Sequence, residues 1–168
     1  MRSLSRSLLV AALVGAALFA GVSAGAGAAF ADECAPGTVD VRDANGQARF
    51  TVEVVDTPEG REKGLMFREQ MPRYSGMLFV YEYPQPVAFW MRNTLIPLDI
   101  LFFDASGRLR TVHPDAKPLD ETPIPGGQDI RFVLELNGGM AATLGIVPGA
   151  ELRHPSLDQT IAAWPCAE

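Results

Sequence analysis

The residues best suited to chemistry gather in one stretch. After Phe89 comes an aromatic, Trp90, and then a cation, an amide and a hydroxyl in consecutive positions, Arg92, Asn93 and Thr94. Asp99 follows inside an apolar run. On strand alternation Asp99 shares a face with Leu101 and Phe103, while Leu98, Ile100 and Phe102 take the other. An acid among such neighbours is costly to bury unless it is paired or hydrogen-bonded. Arg92, across the short connection from Asn93 to Pro97, and Arg68 are the obvious cations for it. Glu135 also sits in an apolar strand and could join them. In one reading these residues line a polar pocket for a small polar or anionic ligand or a sugar, with Trp90 as the stacking face. In a second, Asp99 and Glu135 act as acid and base of a hydrolase or lyase, with Arg92 stabilising developing negative charge. A third reading is purely structural: Asp99 locks the Arg92–Thr94 turn and Trp90 fills the core.

Other chemistries find little support. No G-x-S-x-G elbow, H-E-x-x-H, C-x-x-C or phosphate-binding glycine loop occurs. His113 and His154 are the two histidines, too few for a structural zinc site, and a lone histidine in either place reads as a surface residue. Met66, Met71, Met77, Met91 and Met140 fall in separate elements with apolar neighbours, which suits core packing better than copper. No metal and no cofactor is therefore expected.

The elements that must position these residues are short. Thr38 to Asp43 reads as a strand, Asn45-Gly46 as a tight turn, and Phe50, Val52 and Val54 as the buried face of a second strand. Thr57-Pro58-Glu59 is a helix start, with Gly64 as its left-handed stop. Gly76 to Tyr81 and Val87 to Met91 are two β candidates separated by Pro84 and Pro86. Leu98 to Phe103 and Arg108 to His113 form a hairpin around Asp104-Ala105-Ser106-Gly107. Pro114 to Asp129, rich in proline and acids, reads as a long loop. Ile130 to Leu136 resumes a strand, Asn137 caps a short helix stopped by Gly145, and a last strand lies near Ala150 to Arg153. Seven or eight short strands predict a mainly β, compact antiparallel sandwich or barrel-like domain with two short capping helices.

The start of the chain predicts a compartment. Arg2 and Arg6 precede an apolar run from Leu8 to Ala20, and Ala29-Phe30-Ala31 is an A-x-A exit, the pattern of a cleaved signal peptide over residues 1–31. Residues 32–168 then form a single domain, exported to the periplasm or secreted, with no stable membrane insertion after cleavage. Loss of Arg2 and Arg6 takes the formal charge from −6 to −8. Such a balance fits phosphate backbones poorly, so no nucleic-acid partner is expected. Cys34 and Cys166, the two cysteines, lie near opposite ends of the domain, and in an oxidising compartment they are expected to form one disulfide.

Several linked motifs carry a likeness. Val54-Val55-Asp56-Thr57-Pro58-Glu59, Gly64-Leu65-Met66-Phe67-Arg68, Gly76-Met77-Leu78-Phe79, Phe89-Trp90-Met91-Arg92-Asn93-Thr94, Pro97-Leu98-Asp99-Ile100 and Val133-Leu134-Glu135-Leu136-Asn137 come in order, closed by Leu144-Gly145-Ile146 and Pro148-Gly149. The series resembles domain-of-unknown-function family 192 over about residues 48–153. The resemblance implies a mainly β, sandwich-like and often exported domain, and no activity. The family commonly shows Lys where Arg92 stands, so a Schiff-base lysine is excluded at this position. The first expectation is thus a non-enzymatic exported domain binding a small polar ligand or a cell-envelope partner. The acid–base enzyme and an assembly factor without a small-molecule site are the alternatives.

Overall fold

The computed structural model describes residues 34–166. The expected signal peptide and its cleavage point lie outside the described residues. Seven strands and two short helices follow in the order β1 (Thr38–Asp43), β2 (Gly46–Val55), α1 (Pro58–Lys63), β3 (Ser75–Phe89), β4 (Leu98–Phe103), β5 (Leu109–Ala116), β6 (Ile124–Asn137), α2 (Met140–Leu144) and β7 (Glu151–Arg153). All seven strands join one sheet in the order β5-β4-β6-β3-β2-β1-β7. The sheet curls until its two edges meet at one end. There an Arg108–Glu151 bridge forms, and Leu109 and Ala150 share a backbone hydrogen bond of 2.8 Å. The mainly β, barrel-like expectation therefore holds, as a half-barrel.

Most pairings are antiparallel, but β2 and β3 run parallel, with Val54 opposite Leu78. A parallel pair needs a crossover rather than a tight turn. The segment containing α1 supplies it. Thr57 caps α1 as its sequence indicates: its Oγ1 accepts the Gly60 N–H at 3.1 Å, and Pro58 opens the first turn. Gly64 ends the helix at φ 48° and ψ −137°, a positive-φ stop outside the usual left-handed well.

Two expectations about local structure are corrected. The two β candidates around Pro84 and Pro86 are one strand, β3. Its pairing with β6 slips between Val80 and Val87, where the prolines bring no N–H to the ladder. Pro114 to Asp129 is not a long loop. β5 runs on to Ala116 and β6 begins at Ile124, so only a short connection remains. The proline-rich composition misled because Pro114 continues β5, and Ile124 to Ile130 form a bulged two-stranded ribbon with β3, in which irregular pairing tolerates proline and glycine.

This ribbon folds over the outer face of the sheet, and the sheet itself separates two apolar clusters. On the concave side Val39, Phe50, Leu78, Leu101, Phe103, Leu134 and Leu152 pack with Met140 and Ala141 of α2. On the other side Met77, Phe79, Met91, Leu98, Ile100, Phe102 and Val133 pack beneath the ribbon with Leu65. β4 is consequently buried along its whole length. Its Phe102 ring lies so close to Gly126 that a Cβ there would overlap the ring.

The ends of the domain are joined by the expected Cys34–Cys166 disulfide, which spans 132 positions of sequence. His154, expected at the surface, is 1% exposed. Its Nδ1 accepts the Ser156 N–H at 3.1 Å, so Nε2 carries the proton and donates to the Pro36 carbonyl at 3.0 Å. Burial holds its pKa below the ordinary imidazole value, against the pull of the Pro36 carbonyl. Nearby, Asp40 receives Arg49 and Arg153 on its two oxygens. Burial alone would raise its pKa, but the two guanidiniums bring it below the usual carboxylate value.

Candidate functional site

The segment between β3 and β4 is held by backbone hydrogen bonds rather than by side-chain ion pairs. Met91 N–H donates to the Asp120 carbonyl at 2.8 Å, Phe67 N–H to the Asn93 carbonyl at 2.8 Å, and Leu119 N–H to the Thr94 carbonyl at 3.1 Å. Phe67, Asn93 and Leu119 all adopt positive φ, at 65°, 55° and 62°. Left-handed backbone is unfavourable for Phe and Leu, and it persists here because three adjoining loops fix one another. Nothing in residue type or spacing foretold this clasp.

The clasp places Trp90 and Thr94 against a cavity of about 300 Å³. Leu65 and Met66, which follow α1, line it together with Phe79, Tyr81 and Phe89 of β3 and Glu135 of β6. The Phe79 and Phe89 rings meet edge to face at 4.9 Å. Arg61 lies over the Tyr81 ring at 4.9 Å and donates to the carbonyls of Asp56 and Val80, which holds that aromatic wall. Lys63 and Glu62 stand exposed at the rim.

Glu135 is the chemical centre of this cavity. Its residue is 4% exposed, and its Oε2 has no hydrogen-bond partner among the described residues. Its place on the sheet explains the isolation. Met77, Glu135, Ile100 and His113 form one cross-strand row, with apolar side chains on both sides of the acid. Burial pushes the Glu135 carboxyl up to about 8, so it is mostly protonated at neutral pH. The Tyr81 phenol is likewise raised, first by burial and also by Glu135, against Arg61.

The structure divides the residues singled out from sequence. Trp90, Thr94 and Glu135 line the cavity. Arg92 and Asn93 line a neighbouring cleft of about 350 Å³ that shares Trp90, Met66, Glu62 and Lys63 with the first. Arg92 is exposed and stacks 5.5 Å from the Trp90 ring centroid. Arg68 pairs with Glu53 at the surface, Nη2 to Oε2 at 2.6 Å.

Asp99 belongs to neither cavity. The expected Arg92–Asp99 pair is replaced by three backbone donors. Asp99 Oδ1 accepts the N–H of Asp115 at 2.8 Å and of Gly139 at 2.9 Å, and Oδ2 accepts Ala141 N–H at 2.6 Å. Asp99 thus serves the open amides at the start of α2, where a negative charge is favoured. The helix cap expected of Asn137 is supplied instead from another strand. Asn137 Nδ2 reaches the carbonyls of Met71, Pro72 and Arg73. Asp99 and Glu135 also lie on opposite faces of the sheet, so the acid–base pair of the alternative, enzymatic reading is not assembled.

Phe79, Tyr81, Phe89, Leu65 and Met66 escaped the sequence reading of the site. The alternation of Phe79 and Tyr81 along β3 was the available signal, but it is equally that of an ordinary core strand. Among the described residues no group of three or more His, Cys, Asp or Glu side chains could hold a metal ion, and no helix is long and apolar enough to cross a membrane.

A half-barrel with a ribbon folded over its outer face, and a carboxyl-floored cavity beneath, defines a small mainly β domain of uncharacterised class. The chain matches the DUF192 family, described as an uncharacterized ACR, over residues 40–154, and it belongs to that family. Two solved structures are similar. One is a protein of unknown function from Novosphingobium aromaticivorans DSM 12444, 43% identical, with TM-score 0.67, covering 68% of this chain and 82% of that one. The other, from Sinorhizobium meliloti 1021, is called a putative transcription regulator; it is 41% identical, with TM-score 0.68, covering 71% of this chain and 94% of that one. No curated protein matches the chain.

Proposed function

We propose that this chain is an exported domain that binds a small ligand in the Glu135 cavity. One observation carries the reading. Two acids are buried in adjacent strands, and only one of them is satisfied: Asp99 accepts three backbone N–H groups, whereas Glu135 Oε2 faces a cavity without a partner. A buried polar atom left unpaired costs roughly 1–3 kcal/mol, which a structural acid has no reason to incur. A concave site with apolar and aromatic walls and one polar group at its floor is the usual form of a ligand pocket. Export is supported by the Cys34–Cys166 bridge, since such bonds persist mainly in oxidising compartments. The name of the Sinorhizobium meliloti protein is not carried over to this chain, because a formal charge of −6 suits nucleic acid poorly.

The test is to incubate the exported protein with a metabolite mixture and to read bound mass by native mass spectrometry. A one-to-one adduct that disappears in Trp90→Ala is expected, with Trp90→Phe weakening it. An adduct indifferent to both changes would place the site elsewhere. Intact mass of the same sample checks export: a chain beginning at Asp32 is expected, and retention of residues 1–31 would contradict it.

A further inference from the structure

The surroundings of Glu135 discriminate between classes of ligand head group. Four aromatic residues, Phe79, Tyr81, Phe89 and Trp90, line the same cavity. Aromatic faces attract cations and repel anions. The hydroxyl of Thr94, a neutral polar side chain of the wall, is already directed to the Arg92 carbonyl at 3.3 Å. The charged and titratable groups around the acid do not satisfy it. Tyr81 neighbours it on β3, and His113 lies in the same cross-strand row beyond Ile100. Arg61 is engaged by two carbonyls and the Tyr81 ring. Lys63 at the rim is accompanied by Glu62 of opposite sign.

An anionic head would lie against the one acid of the floor and gain nothing from the rings. An alcohol or amide would make a single neutral hydrogen bond. An amine makes a charge-assisted bond, roughly twice as strong, and gains the ring faces as well. We propose that the cavity receives an organic ammonium ion with an apolar body, its nitrogen against the Glu135 carboxylate and its body between the aromatic walls. This rests on the reading of the cavity as the ligand site. No covalent bond changes. The protonated carboxyl and the ammonium ion become a carboxylate–ammonium pair, and the carboxyl proton leaves to the buffer.

Calorimetry of the full exported protein with benzylamine, benzyl alcohol and phenylacetate, in phosphate and in Tris at pH 7, tests both claims. Benzylamine should bind at least about tenfold more tightly than the other two, and the difference in heat between buffers should report release of most of one proton. Glu135→Gln should erase the preference for the amine together with the proton release. Glu135→Asp should keep the release while weakening the binding. If that exchange unfolds the chain, the buffer comparison on the unaltered protein still decides. Benzyl alcohol or phenylacetate binding as tightly as benzylamine, with binding lost in Trp90→Ala, would overturn the ammonium assignment and leave the cavity as the ligand site. Binding of every probe unaffected by Trp90→Ala, or no binding of any probe to the folded protein, would overturn both.

Discussion

Asp99 and Glu135 stand one position out of step across β4 and β6: Asp99 lies opposite Leu136, and Glu135 opposite Ile100. Because successive side chains of a strand point to opposite faces, the two carboxyls leave the sheet in opposite directions. One enters the concave side and ties α2 to the sheet. The other enters the space under the ribbon and meets a cavity. A single step in register thus separates a structural acid from the candidate ligand acid.

Replacing Asp99 should therefore damage the fold and leave Arg92 out of the matter. Asp99→Ala strands three amide donors, and a loss of roughly 3–5 kcal/mol is expected in urea unfolding. Arg92→Ala, which removes an exposed stack on Trp90, should cost less than about 1 kcal/mol. The double variant should equal the sum of the singles within about 0.5 kcal/mol. A coupling beyond that would reinstate an interaction between the two side chains.

Glu135 should make stability fall as pH rises. Its carboxyl is raised from 4.5 to about 8 in the folded chain, so between those values the folded state holds a proton that the unfolded state has released. The stabilisation is complete below about pH 4.5 and is lost as pH climbs through 8, with a slope of at most about 1.4 kcal/mol per pH unit. His154 acts in the other direction, since its lowered pKa favours the fold above 6.5 and disfavours it on acidification. Chemical unfolding of the native chain and of Glu135→Gln from pH 5 to 8.5 separates the two. The two curves should converge toward low pH, where the carboxyl is protonated and as neutral as the amide, and separate as pH rises and the native chain alone loses stability; parallel curves would rule out the effect.

The disulfide should contribute without being essential. Reduction, or Cys34→Ser with Cys166→Ser, should lower stability by roughly 2–4 kcal/mol, because the bond restrains a very long loop in the unfolded chain. Two buried clusters remain intact without it, so the reduced protein should keep its far-ultraviolet circular dichroism at 25 °C. Collapse to a disordered spectrum on reduction would show the core to be insufficient alone.

Gly126→Ala should open the ribbon. Its Cβ would fall on the Phe102 ring, which is packed on both sides and has no room to withdraw. A loss of about 1–3 kcal/mol is expected, as for other overpacked sites. Hydrogen exchange should quicken first in Ile124 to Ile130 and in the facing residues of β3. Uniform loss of protection over the whole sheet would show that the ribbon is not a separate layer.

The sequence was legible where the structure depends on local chemistry. Thr57-Pro58 announced a helix start, Gly145 its successor's stop, and Phe50, Val52 and Val54 a half-buried strand. Cys34 and Cys166 announced their own union. Legibility failed where partners are distant and nameless. Asp99 finds amides 40 and 42 positions away, and any residue but proline offers an amide. That same anonymity hid the clasp of Phe67, Asn93 and Leu119. Glu135 was identified as an acid in an apolar strand, yet its isolation depends on register, which puts Met77 and Ile100 beside it rather than a cation.

The bond between Cys34 and Cys166 makes the covalent path through the domain a closed circuit, since the polypeptide leads from one sulfur to the other and the sulfurs complete the loop. A single proteolytic cut in any surface turn between the two cysteines would open that circuit into one linear covalent molecule, not into two fragments. The severed ends would remain tethered within refolding distance, and separation would require a second cut or a reductant. Where reductant is scarce, the domain thus tolerates one backbone scission between the two cysteines without loss of material.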